Sequence, residues 1–158
     1  MLRWLRPSAV AVLVLAALAG CGITVPSDPE GTLDRVSGGM LRAGATHHEP
    51  WVVTGVGDPA GDEPALLEEF AATLDAEVEW TVGNEESLVA ALERGDLDVV
   101  VGGFTDATPW ADRAATTVPY TEAPGPDGSP EKHVMLVRMG ENRFLVALEE
   151  FLLERGDG

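Results

Sequence analysis

The sequence predicts an α/β domain of three layers, in which helices cover both faces of a mainly parallel sheet. Strand-like and helix-like segments alternate as β-α-β-α-β over residues 41–101, and a further strand and helix follow within 133–156. The segment 97–101 (LDVVV) is apolar on both faces after Asp98, which is typical of a central strand. Right-handed crossovers put the first two helices on opposite faces if the first strand lies between the second and third.

The first three elements follow from local patterns. Residues 41–46 (LRAGAT) are a short apolar segment bounded by Gly, Pro and polar residues, which indicates a strand. Residues 77–82 (EVEWTV) alternate strictly and predict a half-buried strand. Between them Asp62 begins a helix, in which Pro64 suits the first turn. Its apolar residues recur at i, i+3, i+4 and i+7: Leu67, Phe70, Ala71 and Leu74.

Three elements complete the predicted domain. Asn84 is a side chain that can cap a helix, and Gly95 is suited to ending it. Residues 133–137 (HVMLV) predict another buried strand. A last amphipathic helix runs from about Gly140 to Gly156.

The amino-terminal segment is typical of an export signal. Arg3 and Arg6 precede an apolar run at 9–18 that is too short to span a membrane comfortably. The run ends in Leu-Ala-Gly-Cys, which looks like a bacterial lipobox with Cys21 as the lipidated residue; an ordinary signal peptide is the alternative. We therefore expect a cell-envelope lipoprotein that is anchored to a membrane and faces the periplasm or exterior.

This interpretation divides the chain into three parts. Residues 1–20 are the lipoprotein signal peptide, and 40–156 are one folded domain. Between them, 21–39 are a flexible linker rich in Gly, Pro, Ser and Asp, with a helical turn expected at 32–36 near its end. Cys21 is the only cysteine, so no intramolecular disulfide is available.

The charge balance excludes one class of partner. The formal net charge is −17, and without Arg3 and Arg6 it becomes −19. Such a surface repels phosphate backbones, so we expect no nucleic-acid binding. The acidity favours cationic ligands or serves only solubility.

One stretch has the residue types of a small-molecule site. In VVVGGFTDATPW (99–110), a buried strand ends at two glycines, and Thr105, Thr108 and Trp110 follow. Glycines such as Gly103 let a backbone approach a ligand, hydroxyls supply hydrogen bonds, and Trp supplies a flat apolar face. Ligands of open α/β sheets bind outside the carboxyl ends of the strands, where this stretch and Trp51 are expected.

The ordered motifs resemble a known family. LRAGAT…PW, LLEEFAATLDAEVEW, LVAALERGDLDVVVGGFT and VPY follow the order of the first lobe of extracellular solute-binding proteins of family 3, the amino-acid type that serves ABC importers. The resemblance covers 32–120 and resumes at HVMLVRMGENRFLVALEEFLLERGDG. It implies a single lobe of a type II periplasmic-binding-protein-like fold, with the second lobe replaced by a polar loop at 121–130 (TEAPGPDGSP).

The resemblance also suggests roles for single residues. Trp51 either stacks on a ligand or packs over the sheet end, and Thr105 either contacts a ligand or caps a loop. A family Thr-x-x-Arg pattern holds the ligand carboxylate; here Thr108 lacks an arginine at that spacing. Arg113 lies two or three positions further on, as a displaced carboxylate ligand or a solvated arginine. A family acidic residue near the start of the first helix is matched by Ala65.

Other chemistry finds little support in the sequence. His47, His48 and Glu49 with His133 suggest a metal site, but adjacent side chains on an extended segment point to opposite sides. Asp96 with Asp98 could be called catalytic carboxylates, but such residues are routine at strand starts. We expect no catalytic residues, no metal and no cofactor.

The sequence thus predicts a non-enzymatic lipoprotein that binds a small polar solute such as an amino acid. The predicted ligand-binding residues are Trp51, Gly103, Thr105, Thr108, Trp110 and Arg113. An ABC permease or a second copy of the chain could cover this half-site. The alternative is an envelope interaction domain that kept the fold and lost solute binding.

Overall fold

A computed structural model describes residues 27–156. The predictions for the signal peptide and Cys21 lie outside these residues. The elements in chain order are α1 (Thr32–Val36), β1 (Met40–Ala45), α2 (Asp62–Thr73), β2 (Glu77–Val82), α3 (Glu85–Arg94), β3 (Val99–Val101), β4 (Ala115–Thr116), β5 (Thr121–Pro124), β6 (Pro130–His133), β7 (Leu136–Val137) and α4 (Asn142–Gly156).

A five-stranded sheet with the order β2-β1-β3-β7-β4 is the middle layer. β1 is parallel to both β2 and β3, whereas β7 is antiparallel to β3 and β4. The first strand therefore lies between the second and the third. The predicted α/β architecture with its mainly parallel sheet is confirmed.

Two apolar clusters fill the spaces between the layers. One face of the sheet is covered by α2, α4 and α1, whose buried contributions include Phe70, Phe144 and Val36. The other face is covered by α3 through Leu88 and Leu92. The central β3 contributes Val99 and Val101 to one cluster and Val100 to the other, as the alternation of side chains along a strand requires.

Local signals set the ends of α3. The Asn84 side chain accepts a hydrogen bond from the backbone N–H of Ser87 at 2.9 Å, which satisfies an unpaired donor of the first turn. The helix ends at Gly95, whose φ of 77° lies in the left-handed region that glycine adopts without strain.

Residues 121–133 differ from the sequence prediction. Instead of a polar loop and a continuous strand at 133–137, the chain forms a hairpin in which Thr121 pairs with His133 and Pro124 with Pro130. The turn-forming residues are concentrated at 125–129, where Gly125 N donates to Ser129 O at 2.7 Å. Pairing satisfies backbone groups that a bare loop would leave to water.

The segment 28–39 also differs from the flexible linker that we expected. Val36 is completely buried, and the Asp28 carboxylate accepts hydrogen bonds from the backbone of Arg143 and Phe144 at 2.8 and 3.0 Å. Glu141 accepts from Thr32 N at 3.1 Å. Apolar burial and these bonds tie the segment to the start of α4, so residues 28–39 pack as part of the folded domain.

Candidate functional site

Two loops meet closely at the carboxyl edge of the sheet. A Cβ atom on Gly102, after β3, would lie 2.1 Å from the Thr46 methyl group, after β1. A Cβ atom on Gly103 would lie 2.9 Å from the rings of His48 and Trp51, and its φ of 65° is left-handed. Both glycines are therefore required by close approach of the two loops.

A buried carboxylate holds the turn formed by Gly102 and Gly103 in place. Glu63, in the first turn of α2, has no solvent exposure. Its Oε2 accepts the N–H groups of Gly102 at 2.8 Å and Gly103 at 3.0 Å, and its Oε1 accepts the Tyr120 hydroxyl at 2.5 Å. One side chain thereby joins α2, the loop after β3 and the chain entering the hairpin.

The protonation of this pair follows from its surroundings. Burial raises the pKa of Glu63, against the opposing effect of the Tyr120 hydroxyl and the glycine amides. Burial and the neighbouring Glu63 charge both raise the pKa of Tyr120. The phenol therefore keeps its proton and donates a hydrogen bond to the carboxylate.

Sequence reasoning missed Glu63. The family comparison placed the acidic position at Ala65, two residues further along the helix. The available signal was the spacing, because Glu63 stands four residues before Leu67 and so shares its apolar face. A glutamate on the buried face of a helix requires partners, which the sequence does not name.

Trp51 lies above the glycine turn in an aromatic cluster. Its ring centroid is 4.0 Å from that of His133 at a tilt of 35°, and 6.5 Å from that of Tyr120 in an edge-on arrangement. His133 is only 3% exposed, and its Nδ1 has no hydrogen-bond partner among the described residues. Burial lowers the pKa of His133, and the neighbouring His48 acts in the same direction.

The hairpin holds the loop that carries Thr105. Thr105 forms an isolated antiparallel bridge with His133, and Asp106 N donates to Lys132 O at 2.9 Å. Thr105 is half-buried beside the Trp51 cluster. The structure thus brings together Trp51, Gly103 and Thr105 of the predicted set.

The other three predicted residues form a second group on the flank of α3. The Trp110 indole N–H donates to Glu85 at 2.8 Å, and the Thr108 hydroxyl accepts from Trp110 N at 3.4 Å. Arg113 binds the Glu93 carboxylate at 2.5 Å and lies 5.5 Å from the Trp110 ring centroid. Arg113 is thus held by α3 through Glu93, an arrangement that neither of the two sequence interpretations includes.

A groove of about 350 Å³ opens beside the Trp51 cluster, between α2, α4 and β5. It combines an aromatic face with charged groups, of which Arg155 is paired with Glu69. Its lining residues are Trp51, Asp62, Ala65, Leu66, Glu69, Tyr120, Thr121, Leu152 and Arg155. Such a mixture suits a small ligand with a cationic group.

The histidines do not converge on a metal. Within residues 27–156 no group of three or more His, Cys, Asp or Glu side chains is placed to hold one. His47 Nδ1 lies 3.1 Å from Thr54 N, and His133 lies in the aromatic cluster. In the same part of the chain no helix is both long and apolar enough to cross a membrane.

The sequence profile of bacterial extracellular solute-binding proteins, family 3, matches residues 41–154. No curated protein matches the chain. The match confirms the family resemblance drawn from the sequence motifs.

Similar solved structures are amino-acid-binding proteins. A mutant of domain 1 of TmArgBP in its arginine-bound form is 25% identical, with a TM-score of 0.70 over 80% of this chain and 99% of that chain. A truncated, arginine-bound ArgBP from T. maritima is 15% identical, with a TM-score of 0.67 over 77% of this chain and 99% of that one. The ancestral amino-acid-binding protein AncCDT-1, a precursor of cyclohexadienyl dehydratase, is 15% identical, with a TM-score of 0.67 over 80% and 94% of the two chains. The last two show the fold.

Proposed function

The chain belongs to family 3 of the bacterial extracellular solute-binding proteins, and we propose that it is an exported lipoprotein, anchored through Cys21, that binds an amino-acid-like solute. The observation that carries the binding proposal is the Trp51 cluster beside the Gly102–Gly103 turn, at the carboxyl edge of the sheet. This is where open α/β sheets place their ligands. Thr105 adds an orientable hydroxyl at the same edge.

The charges near Trp51 favour a cationic amino acid. Asp62 and Glu69 line the adjoining groove, whereas Arg155 is its only basic lining residue and is paired with Glu69. Asp62 remains available to a cation, and the Trp51 ring can stack on a guanidinium. The arginine-bound state of TmArgBP domain 1 supports the same class of ligand.

A single lobe leaves such a ligand partly in water. Small-molecule sites bury most of their ligand's surface, so the isolated chain should bind weakly. We propose that a permease or a second copy of the chain covers the open side. Thr108, Trp110 and Arg113 lie on the flank of the same edge, where they would meet the covering partner or a longer solute.

The test is calorimetric titration and thermal shift on the chain from residue 22 onward, with arginine, lysine, glutamate and polyamines as probes. Saturable binding of arginine or lysine is expected, lost in Trp51→Ala and retained in Trp51→Phe, which keeps the aromatic face. A folded protein that binds none of the probes would refute solute binding. For the anchor, Cys21→Ser should move the expressed protein from the membrane fraction to the soluble fraction.

The pairing of Arg113 favours a second candidate, an envelope interaction domain without solute binding. Its guanidinium is bound to Glu93, so a carboxylate ligand would compete with that ion pair. Under this alternative, Trp51→Ala and Trp51→Phe would leave every titration flat. Crosslinking at the carboxyl edge would then capture a protein partner.

A further inference from the structure

Four arginines surround a polar pocket at the amino edge of the sheet, opposite the candidate solute site. The pocket has a volume of about 210 Å³. It is lined by guanidinium groups from α1, β1, the end of α3 and the segment after β7. They are Arg35, Arg42, Arg94 and Arg138.

The topology brings these arginines together. β1 and β3 are parallel and begin at this edge, and β7 runs antiparallel to β3 and therefore ends there. Arg42 lies near the start of β1, and Arg138 directly follows β7. The residues come from distant parts of the chain, so no local sequence motif marks the pocket.

A buried aspartate positions two of the arginines. Asp98 is 1% exposed and binds Arg35 and the Arg42 guanidinium, the latter at 2.7 Å. It also accepts Arg42 N at 3.0 Å. Both carboxylate oxygens are occupied, and the N–H groups that the two arginines do not use remain for another acceptor.

The other two arginines are more weakly held. Arg94 pairs with exposed Asp96 at 2.9 Å, and such surface pairs contribute little. The nearest Arg138 nitrogen lies 4.0 Å from Glu30, beyond hydrogen-bond distance. A Cβ atom on Gly95 would lie 2.9 Å from Arg138 Nη1, so the glycine leaves the space that this guanidinium occupies.

We propose that this pocket binds a phosphate-type oxyanion. The lining itself holds four guanidinium groups and two carboxylates, those of Asp98 and Glu30. Two further carboxylates stand behind the lining: Asp96 pairs with Arg94, and buried Glu141 acts on Arg138. The groups that face the cavity are therefore mainly cationic in a chain of net charge −17. Planar guanidinium groups match the oxygens of phosphate in a bidentate manner. The site is separate from the solute edge, and its binding of free phosphate does not depend on the proposed function.

Two sources can supply this chemistry, a soluble phosphate and an anionic lipid headgroup. The described chain starts at Ser27 and passes Glu30 and Thr32, which line the pocket. Ser27 follows Cys21 by six positions, a span of at most about 20 Å when extended. A lipid on Cys21 would therefore keep the pocket near an anionic surface, so the headgroup arm rests on the proposed anchor.

The test uses the chain from residue 22 onward, which contains every described residue. Inorganic phosphate should raise the melting temperature more than sodium chloride at equal ionic strength. The double variant Arg94→Gln/Arg138→Gln should reduce the apparent affinity at least tenfold, while Asp98 keeps both of its partners. Lys132→Gln removes one exposed charge on β6, outside both the arginine pocket and the solute groove. It is the control and should bind phosphate as the unmodified chain does.

A second arm identifies the source. If the unmodified chain cosediments with phosphatidylglycerol vesicles but not with phosphatidylcholine vesicles, and the double variant cosediments with neither, the site binds lipid headgroups. Binding of phosphate without vesicle retention assigns it to a soluble anion. The proposal is overturned if neither phosphate nor vesicles bind, or if the double variant binds them as well as the unmodified chain does. Arginine titration of the same samples reports separately on the solute site.

Discussion

Replacing Glu63 tests whether one buried carboxylate organises the carboxyl edge. Glu63→Leu leaves two buried glycine amides and the Tyr120 hydroxyl without their acceptor. Each buried donor left unpaired costs about 1–3 kcal/mol. Burial raises the pKa of Glu63, which means that keeping this carboxylate away from water costs free energy. Its removal recovers that desolvation cost and offsets part of the loss from the unpaired donors. We expect a net loss of about 3–5 kcal/mol, a large share of the roughly 5–15 kcal/mol that stabilises a domain.

Glu63→Gln separates hydrogen bonding from mere occupancy of the space. The amide oxygen still accepts the Gly102 and Gly103 N–H groups, and the neutral side chain has no buried charge to desolvate. The Tyr120 hydroxyl can turn to accept from the amide NH₂ group. The glutamine variant should therefore remain within about 1 kcal/mol of the unmodified chain.

The assay is urea unfolding at pH 7, followed by far-ultraviolet circular dichroism. Glu68→Gln, on the exposed side of the same helix, is the control and should change the free energy of unfolding by less than about 0.5 kcal/mol. A leucine variant within about 1 kcal/mol of the unmodified chain would refute the reasoning. So would a glutamine variant as unstable as the leucine variant.

Three further predictions concern the surrounding structure. Gly102→Ala should cost about 1–3 kcal/mol in urea unfolding, because its Cβ would lie 2.1 Å from the Thr46 methyl group; Gly55→Ala, with no atom within 4 Å, should be nearly neutral. Burial lowers the pKa of His133 in the folded chain. Below about pH 6.5, the pKa of an unfolded histidine, the unfolded state therefore binds a proton that the folded state does not bind. Stability should therefore fall as the pH drops through that window, and His133→Phe should flatten that part of the pH–stability curve. Asn84→Ala removes the cap of α3 and should lower the melting temperature by an amount corresponding to about 1 kcal/mol, whereas Asn84→Asp should retain most of it.

The secondary structure was largely predictable because its signals are local. The spacing of Leu67, Phe70 and Ala71 within a few residues indicates a buried helix face, and the strict alternation of 77–82 indicates a strand. The cap at Asn84 depends on atoms only three residues apart. Crossover handedness ties the placement of the first two helices to the strand order, and the order β2-β1-β3 itself comes from the structure.

The structure brings together only some of the predicted site residues, for a physical reason. The sequence predicts Gly103 because a strand end followed by glycines is a local pattern, and it predicts Trp51 through the family resemblance. It does not show that Arg113 is bound to Glu93, twenty residues earlier. Whether an arginine faces a ligand or a neighbouring carboxylate depends on which helix packs beside it.

The sequence alone determined the α/β class, the order of most of its elements and the acidic charge balance. The tertiary structure decided which groups share a site. Glu63 and Tyr120 are 57 residues apart and meet only because α2 packs beside the entry to the hairpin. The arginine pocket likewise exists only where antiparallel β7 returns Arg138 to the edge at which β1 begins. Charges and hydrogen-bond donors act over a few ångströms, so their partners are fixed by packing rather than by position along the chain.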